Sequence, residues 1–298
     1  MDTAQPHEEK KMTVPEHNPV VQQRRLRAEL RKARDQAELT QAQVAEEMDW
    51  SVSKVIRIET GAVGLSITDL RALLQLYGVV DRAAVNELVE VGKASRKRAW
   101  WDSYRELVGD VVARFIGLES SASLVRQYDS GVLPGLLQTP GYARATLSPF
   151  NTDQEVIDKK VEFRGKRQEI LKPHYRVKFH FVLEETVLRR VVGGPAVMKE
   201  QLEWLRELRR QPNISIKMIP FSVGVHVGVG LGSFVVLEFP GDEQDHIAAV
   251  EHSGVGVSLQ DDPEQVSKYV EAFLQLEDLA GAPDELDSLI DTLIRELQ

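Results

Sequence analysis

The side chains whose type and spacing could do chemistry lie close together at Ser51, Ser53, Lys54 and Arg57. They offer two hydroxyls and two cations within seven residues, and no paired acid and base. Such a set suits hydrogen bonding to phosphate oxygens and base edges, not bond-breaking. On a helix, Ser51, Ser53, Lys54 and Arg57 share one outward side, a short polar edge of the kind that enters a major groove. Lys54 falls in the first turn, where the helix dipole disfavours a cation by about 0.3–1 kcal/mol. A phosphate or base edge opposite it would account for a lysine there. The competing reading is a helical hairpin with a solvated charged face.

Two short helices joined by a tight turn must position that edge, over Leu39–Gly61. Thr40 and Gln43 form a capping box: the hydroxyl accepts an orphan backbone N–H and the amide reaches back. Val44, Ala45 and Met48 fall on one face. Asp49-Trp50 breaks the run, Ser51 is a second N-cap, and Val55 and Ile58 form the next inner stripe. Gly61 supplies a left-handed stop. Caps, turn, inner stripe and polar edge agree with a DNA-reading helix-turn-helix. A first helix is expected over Val20–Ala37, with Leu26, Leu30, Ala33 and Ala37 at helical spacing. A fourth follows the Ser66 N-cap with Leu70, Leu73, Leu74 and Tyr77, ending at Gly78. A fifth follows Asp81 through Val85, Leu88 and Val89, closing the domain near Gly92.

This segment resembles the Cro and phage-repressor type of helix-turn-helix, also called the xenobiotic-response-element family. The match is carried by Thr40-Gln41, Val44-Ala45, Trp50-Ser51-Val52-Ser53, Arg57-Ile58-Glu59 and Gly61. The resemblance implies that Gln41 contacts a phosphate and braces the recognition helix. It implies that Val52, Ser53 and Lys54 face base edges and that Arg57 faces the backbone. It also implies an ion pair between Arg34 and Glu59. Ile56 departs from the small polar residue common at its position; it could touch a thymine methyl or pack.

The bulk properties narrow the class. A chain of 298 residues suggests about two domains. Its 42% hydrophobic and 28% charged content is that of a soluble globular protein. With no cysteine there is no disulfide, zinc–thiolate site or thiol chemistry. No apolar run approaches the ~20 residues that span a membrane, and the N-terminus lacks an apolar signal segment. A cytoplasmic protein is expected. The net charge of −9 looks wrong for a DNA binder, but its placement matters. Asp261–Gln298 carries eleven Asp/Glu against two Lys/Arg, whereas Val20–Gly78 carries eight against nine. The first helix concentrates Arg24, Arg25, Arg27, Arg31, Lys32 and Arg34, and it is the local footprint that binds phosphate. The basic run Lys93–Arg98 is either a further phosphate contact or a solvated linker.

Beyond Trp101 the pattern changes. Phe115–Glu119 precedes an expected helix, and Pro134–Thr139 reads as a turn. Tyr142–Leu147 and Asp153–Leu171 read as helices. Arg176–Leu183 alternates as a half-buried strand does, and Ile214–Pro220, Ser233–Phe239, Ile247–His252 and Gly254–Leu259 read as further strands. Gly193-Gly194-Pro195 opens a helix with Met198, Leu202, Leu205 and Leu208 inward. Two amphipathic helices end the chain, Pro263–Leu279 and Asp284–Leu297. The apolar stripe of the last, from Leu286 to Leu297, must bury against its own domain's sheet or against a dimer or partner interface.

This region also resembles a known group, the large domain of actinomycete antitoxin-like, WhiJ-like regulators. The match is carried by Gly117-Leu118-Glu119, Val132–Thr139 with Tyr142–Ala145, Val182–Glu185 through Leu188–Arg190, and Val192–Pro195 with Met198 and Gln201-Leu202. It implies a regulator whose second domain senses a partner, often a small protein encoded nearby.

Other chemistry is discounted. His174, His180, His226, His246 and His252 lack metal-ligand spacing and read as surface or sheet histidines. Glu184-Glu185 reads as a helix start rather than a carboxylate pair. Val223–Gly232 is glycine-rich without P-loop spacing and reads as a flexible hairpin loop, or as a lid over a binding site.

The expected fold is α+β: an N-terminal all-α five-helix helix-turn-helix domain, then a larger mixed α/β domain with a small sheet and C-terminal amphipathic helices. The expected division is a disordered tail at 1–19, the helix-turn-helix domain at 20–92, a basic linker and connecting helix at 93–112, and a sensor or partner-binding domain at 113–298. The expected function is sequence-specific, dimeric DNA-binding transcriptional regulation, with the second domain binding a partner protein or ligand. The alternative is an antitoxin-like protein whose main role is capture of a small partner, with autoregulatory DNA binding. The expected partners are double-stranded DNA and a second copy of the chain, with that small protein as a further candidate. No catalytic constellation, metal, cofactor or membrane contact is expected.

Overall fold

The computed structural model describes residues 19–61, 63–175, 177–240, 246–252 and 256–297. The expected tail falls outside these, up to residue 18, as does the start of the strand expected from Gly254. The chain forms two compact units, divided between Ser103 and Tyr104.

The first unit is five helices: α1 Pro19–Gln36, α2 Gln41–Glu47, α3 Val52–Thr60, α4 Ile67–Leu76 and α5 Arg82–Ala94. Their starts are set by side-chain caps. Thr40 and Gln43 close a capping box on α2, and Ser51, Ser66 and Asp81 accept the first backbone N–H groups of α3, α4 and α5. The α2–α3 turn passes through Asp49 in the left-handed region at φ 53°. Leu26 and Leu30 of α1, Val44 of α2, Val55 of α3, Leu70, Leu73 and Leu74 of α4 and Val89 of α5 make one core.

The second unit contains α6 Arg105–Val108, α7 Asp110–Glu119, β1 Leu124–Asp129, α8 Pro140–Leu147, α9 Gln154–Gln168, β2 Lys178–Glu184, α10 Glu185–Arg189, α11 Pro195–Leu208 and β3 Ile214–Ile219. It continues with α12 Val227–Leu231, β4 Phe234–Glu238, β5 Ile247–His252, β6 Gly256–Gln260, α13 Pro263–Leu279 and α14 Pro283–Glu296. The six strands form one mixed sheet in the order β3-β2-β1-β4-β5-β6. β1, β2 and β3 are parallel and joined by helical crossovers, while β4, β5 and β6 are added antiparallel. The fold is thus a helical domain followed by a mixed α/β domain with a six-stranded sheet and C-terminal helices.

Three readings are corrected. The segment after Glu119, expected as a helix, is β1, the strand on which both halves of the sheet are built, and Phe115–Glu119 is itself the end of α7. Its polar residues hide the strand pattern because each has an internal partner. Arg126 pairs with Glu238, Gln127 donates to Asp129 at 2.8 Å, and the Tyr128 hydroxyl donates to Glu184 at 2.6 Å. Second, Val223–Gly232 is not a hairpin loop. β4 pairs with β1 instead of β3, so this segment crosses between strands that are not neighbours, and it folds into α12. Gly228 lies on the Tyr128 ring so closely that a Cβ there would meet the phenol at 2.5 Å. Third, His226 is not a surface histidine: its side chain is 4% exposed and its Nε2 lies 2.9 Å from Glu184 Oε1.

The stripe of α14 is buried within its own unit. α14 packs on α11 and β3, with Leu286, Ile290 and Leu293 buried and Asp287 and Asp291 paired with Arg209 and Arg206. Ile290 is fully buried. Its replacement by alanine removes buried methylenes and leaves a cavity, so Ile290→Ala should cost about 2–4 kcal/mol. Urea unfolding of the full chain, followed by circular dichroism, would show an earlier transition. An unchanged transition would mean that α14 contributes nothing to the core.

Candidate nucleic-acid interface

The inner face of α3 holds the helix in place. Val55 and Ile58 are buried at 2% and 5% exposure. At the C-terminal end Gly61 takes φ 73°, and the Arg27 guanidinium lies directly over it, with Arg27 Nη1 donating to the Thr60 carbonyl at 2.8 Å. A side chain at Gly61 would be strained in that conformation and would also displace Arg27.

Glu59 is the charged member of that inner face, only 6% exposed. Arg34 Nε donates to its Oε1 at 2.7 Å, and Gln41 Nε2 donates to its Oε2 at 2.8 Å. Arg34 Nη1 also reaches the Leu39 carbonyl at 2.9 Å. One carboxylate therefore joins the end of α1, the start of α2 and the end of α3. Its hydrogen bond raises the Arg34 pKa above the ordinary guanidinium range. The nearby Tyr77 phenol is pushed up to about 12, by burial first and then by the Glu59 charge.

The outer face is different. Val52, Ser53, Ile56, Arg57 and Thr60 are exposed on α3. Two of these are large apolar residues, Val52 at 43% and Ile56 at 41% exposure. Ser51 spends its hydroxyl capping Lys54 N at 3.2 Å, and Arg57 Nε donates to the Ser53 carbonyl at 3.3 Å. Lys54 is only half-exposed. Its ammonium lies 3.5 Å from the centroid of the Trp50 ring and 3.9 Å from Asp69 Oδ2 on α4. Asp69 and the indole offset the dipole cost of a cation in that first turn, so an external anion is not needed to explain the lysine. The sequence pattern did not bring Trp50, Asp69 or Tyr77 into this site. They come from the turn and from α4, whose docking is tertiary.

The cations of α1 are also partly committed. Arg25 pairs with Glu87 of α5, Arg27 holds Thr60, and Arg34 holds Glu59. Among the described residues, no group of three His, Cys, Asp or Glu side chains could hold a metal ion, and no helix is long and apolar enough to cross a membrane.

A family model described as Domain of unknown function (DUF5753) matches residues 112–292, more than half of the chain. A second, described as Helix-turn-helix domain, matches residues 25–88 and so covers most of the first unit. No curated protein and no solved structure matches the chain.

The Arg34–Glu59 pair is shielded enough that a lone partner would be costly. Removal of one member of a buried pair costs about 3–5 kcal/mol, while joint replacement by uncharged residues costs less. Arg34→Met and Glu59→Gln should each destabilise the first unit more than the double variant does. A double-mutant cycle by urea unfolding measures the coupling, and strictly additive effects would show that the pair does not tie α1 to α3.

Proposed function

The chain belongs to the family of the domain of unknown function DUF5753, and we propose that it is a sequence-specific DNA-binding transcriptional regulator. The helix-turn-helix match and the exposed outer face of α3 support this reading. In it, α3 enters the major groove as the recognition helix, in the manner of the Cro and phage-repressor type. Ser53 and Lys54 read base edges, and Val52 and Ile56 cover thymine methyl groups. Ser51 and Arg57 contact the backbone, and Gln41 contacts a phosphate while bracing Glu59. The chain acts in the cytoplasm as a homodimer on a two-fold operator, with half-sites about one helical turn apart. It carries out no catalysis. The carrying observation is that α3 is locked on one side by Val55, Ile58 and Glu59 and presents Val52, Ser53, Ile56 and Arg57 to solvent on the other.

The second unit serves a partner, in the manner of the antitoxin-like, WhiJ-like regulators.

The two cations of α3 should fail differently. Lys54→Ala should cost about 1–3 kcal/mol of operator binding and relax selectivity, provided the lysine leaves Asp69 for a base edge. Arg57→Ala should weaken all sequences alike and lower the salt slope by about one. Operator titrations at several salt concentrations, after genome-wide pull-down defines the site, separate the two. Unchanged affinity in both variants would overturn α3 as the recognition helix.

A further inference from the structure

A groove of about 720 Å³ runs along the outer side of α11, between that helix and the Gln138–Pro140 segment, within the size range of ligand clefts. We propose that it captures a cationic peptide segment of a partner protein, one arginine or lysine side chain lying on the Trp204 indole between Glu200 and Glu203. This rests on the reading that the second unit serves a partner, and it adds the chemistry of that partner.

Trp204 is 37% exposed, and among the described residues its ring stacks on no other. Trp204 lines the groove, and of the aromatic side chains an indole attracts a cation most strongly. Glu200, Glu203 and Glu207 surround it on α11. The two arginines of the groove are already neutralised: Arg206 by Asp291 of α14, and Arg210 by Glu207 at 2.7 Å. Glu200 and Glu203 have no ion pair among the described residues. The groove therefore holds two uncompensated carboxylates beside an exposed indole. That combination repels phosphate and attracts guanidinium or ammonium groups, which carboxylates bind by charge-assisted hydrogen bonds.

The opposite wall is fixed in advance. Gln201, fully buried, accepts from Thr139 N at 2.6 Å and donates to the Leu137 carbonyl at 2.7 Å. Gln168 donates to the carbonyls of Gly135 and Gln138. A wall pinned by two amides loses little entropy when a ligand arrives. From Glu200 to Glu207 the α11 face extends about 10 Å. That length suits an extended peptide of about three residues better than a single small cation.

The test uses the full chain and a fluorescein-labelled hexa-arginine peptide, read by anisotropy. One-to-one binding is expected, weakened at least tenfold by Trp204→Ala and by the pair Glu200→Gln/Glu203→Gln. All three side chains are exposed, so these variants should fold, which circular dichroism checks. The pair Glu271→Gln/Asp278→Asn, on the exposed side of α13, removes the same charge elsewhere and should leave binding unchanged. Equal loss in that control would reduce the effect to net charge and overturn the proposal. So would absence of binding to the wild-type chain, or competition by free arginine amide as effective per mole as the peptide. Operator binding measured on the same variants should be unaffected. Operator binding without peptide binding would then remove this inference alone, whereas loss of wild-type operator binding would remove the functional reading instead.

Discussion

The burial of one carboxylate governs the first unit. Glu59 sits at 6% exposure, where an unpaired charge would cost several kcal/mol. It is tolerated because Arg34 and Gln41 arrive from two other helices with hydrogen bonds at 2.7 and 2.8 Å. Those bonds have directional demands that apolar packing lacks. A slide or roll of α3 would break them while leaving Val55 and Ile58 able to repack. The carboxylate therefore fixes the register of α3 against α1 and α2, and the outward set Val52, Ser53, Ile56 and Arg57 inherits that precision. On the proposed reading α3 presents its side chains to a groove in one orientation, and a buried, hydrogen-bonded charge defines that orientation more narrowly than apolar packing does.

The second unit uses the same device at its centre. β1 carries Arg126, Gln127, Tyr128 and Asp129 in succession, yet it is the strand with parallel and antiparallel neighbours. Arg126 and Tyr128 point to the α13 side, where Glu238 and Glu184 receive them. Gln127 and Asp129 point to the other side, near the Glu119–Arg167 pair with N–O distances of 2.6 and 2.7 Å. Burial, and then the charge of Glu251, hold the Asp129 carboxyl well above the usual carboxylate range. Arg164, one turn before Gln168, is lowered to about 10 by burial and then by Arg167. The sheet is thus bounded by polar contacts that select one pairing of strands.

What could be read from the residues follows from how local each signal is. Thr40, Gln43, Ser51, Ser66, Asp81 and Gly61 act within three or four residues of themselves, so helix ends in the first unit were legible. β2, β3 and β5 were legible because their apolar residues recur in short runs or alternate. β1 was not, because its polar side chains are satisfied by residues as distant as Glu184 and Glu238. The sequence of α12 misleads for a related reason. Its glycines suggest a turn, but Gly228 is needed for contact with Tyr128. The candidate site divides in the same way. Its helices and outward residues follow from periodicity, whereas the Lys54–Trp50–Asp69 cluster depends on where α4 docks.

The cation inventory of α1 bears on how a chain of net charge −9 could hold DNA. Composition alone counts Arg25, Arg27 and Arg34 towards a phosphate footprint. Each is engaged inside the unit, with Glu87, the Thr60 carbonyl and Glu59. A guanidinium already bound to a carboxylate releases fewer counterions on meeting a phosphate, so the electrostatic share of affinity from one unit is smaller than its arginine content suggests. The exposed apolar pair Val52 and Ile56 adds contact area without adding charge. On the proposed reading, a recognition face that mixes Val52 and Ile56 with Ser53 and Arg57 draws less of its affinity from charge than one lined by cations alone. Ser53 would then discriminate through base edges and Val52 and Ile56 through thymine methyl groups, contacts that carry sequence information and weaken little with salt.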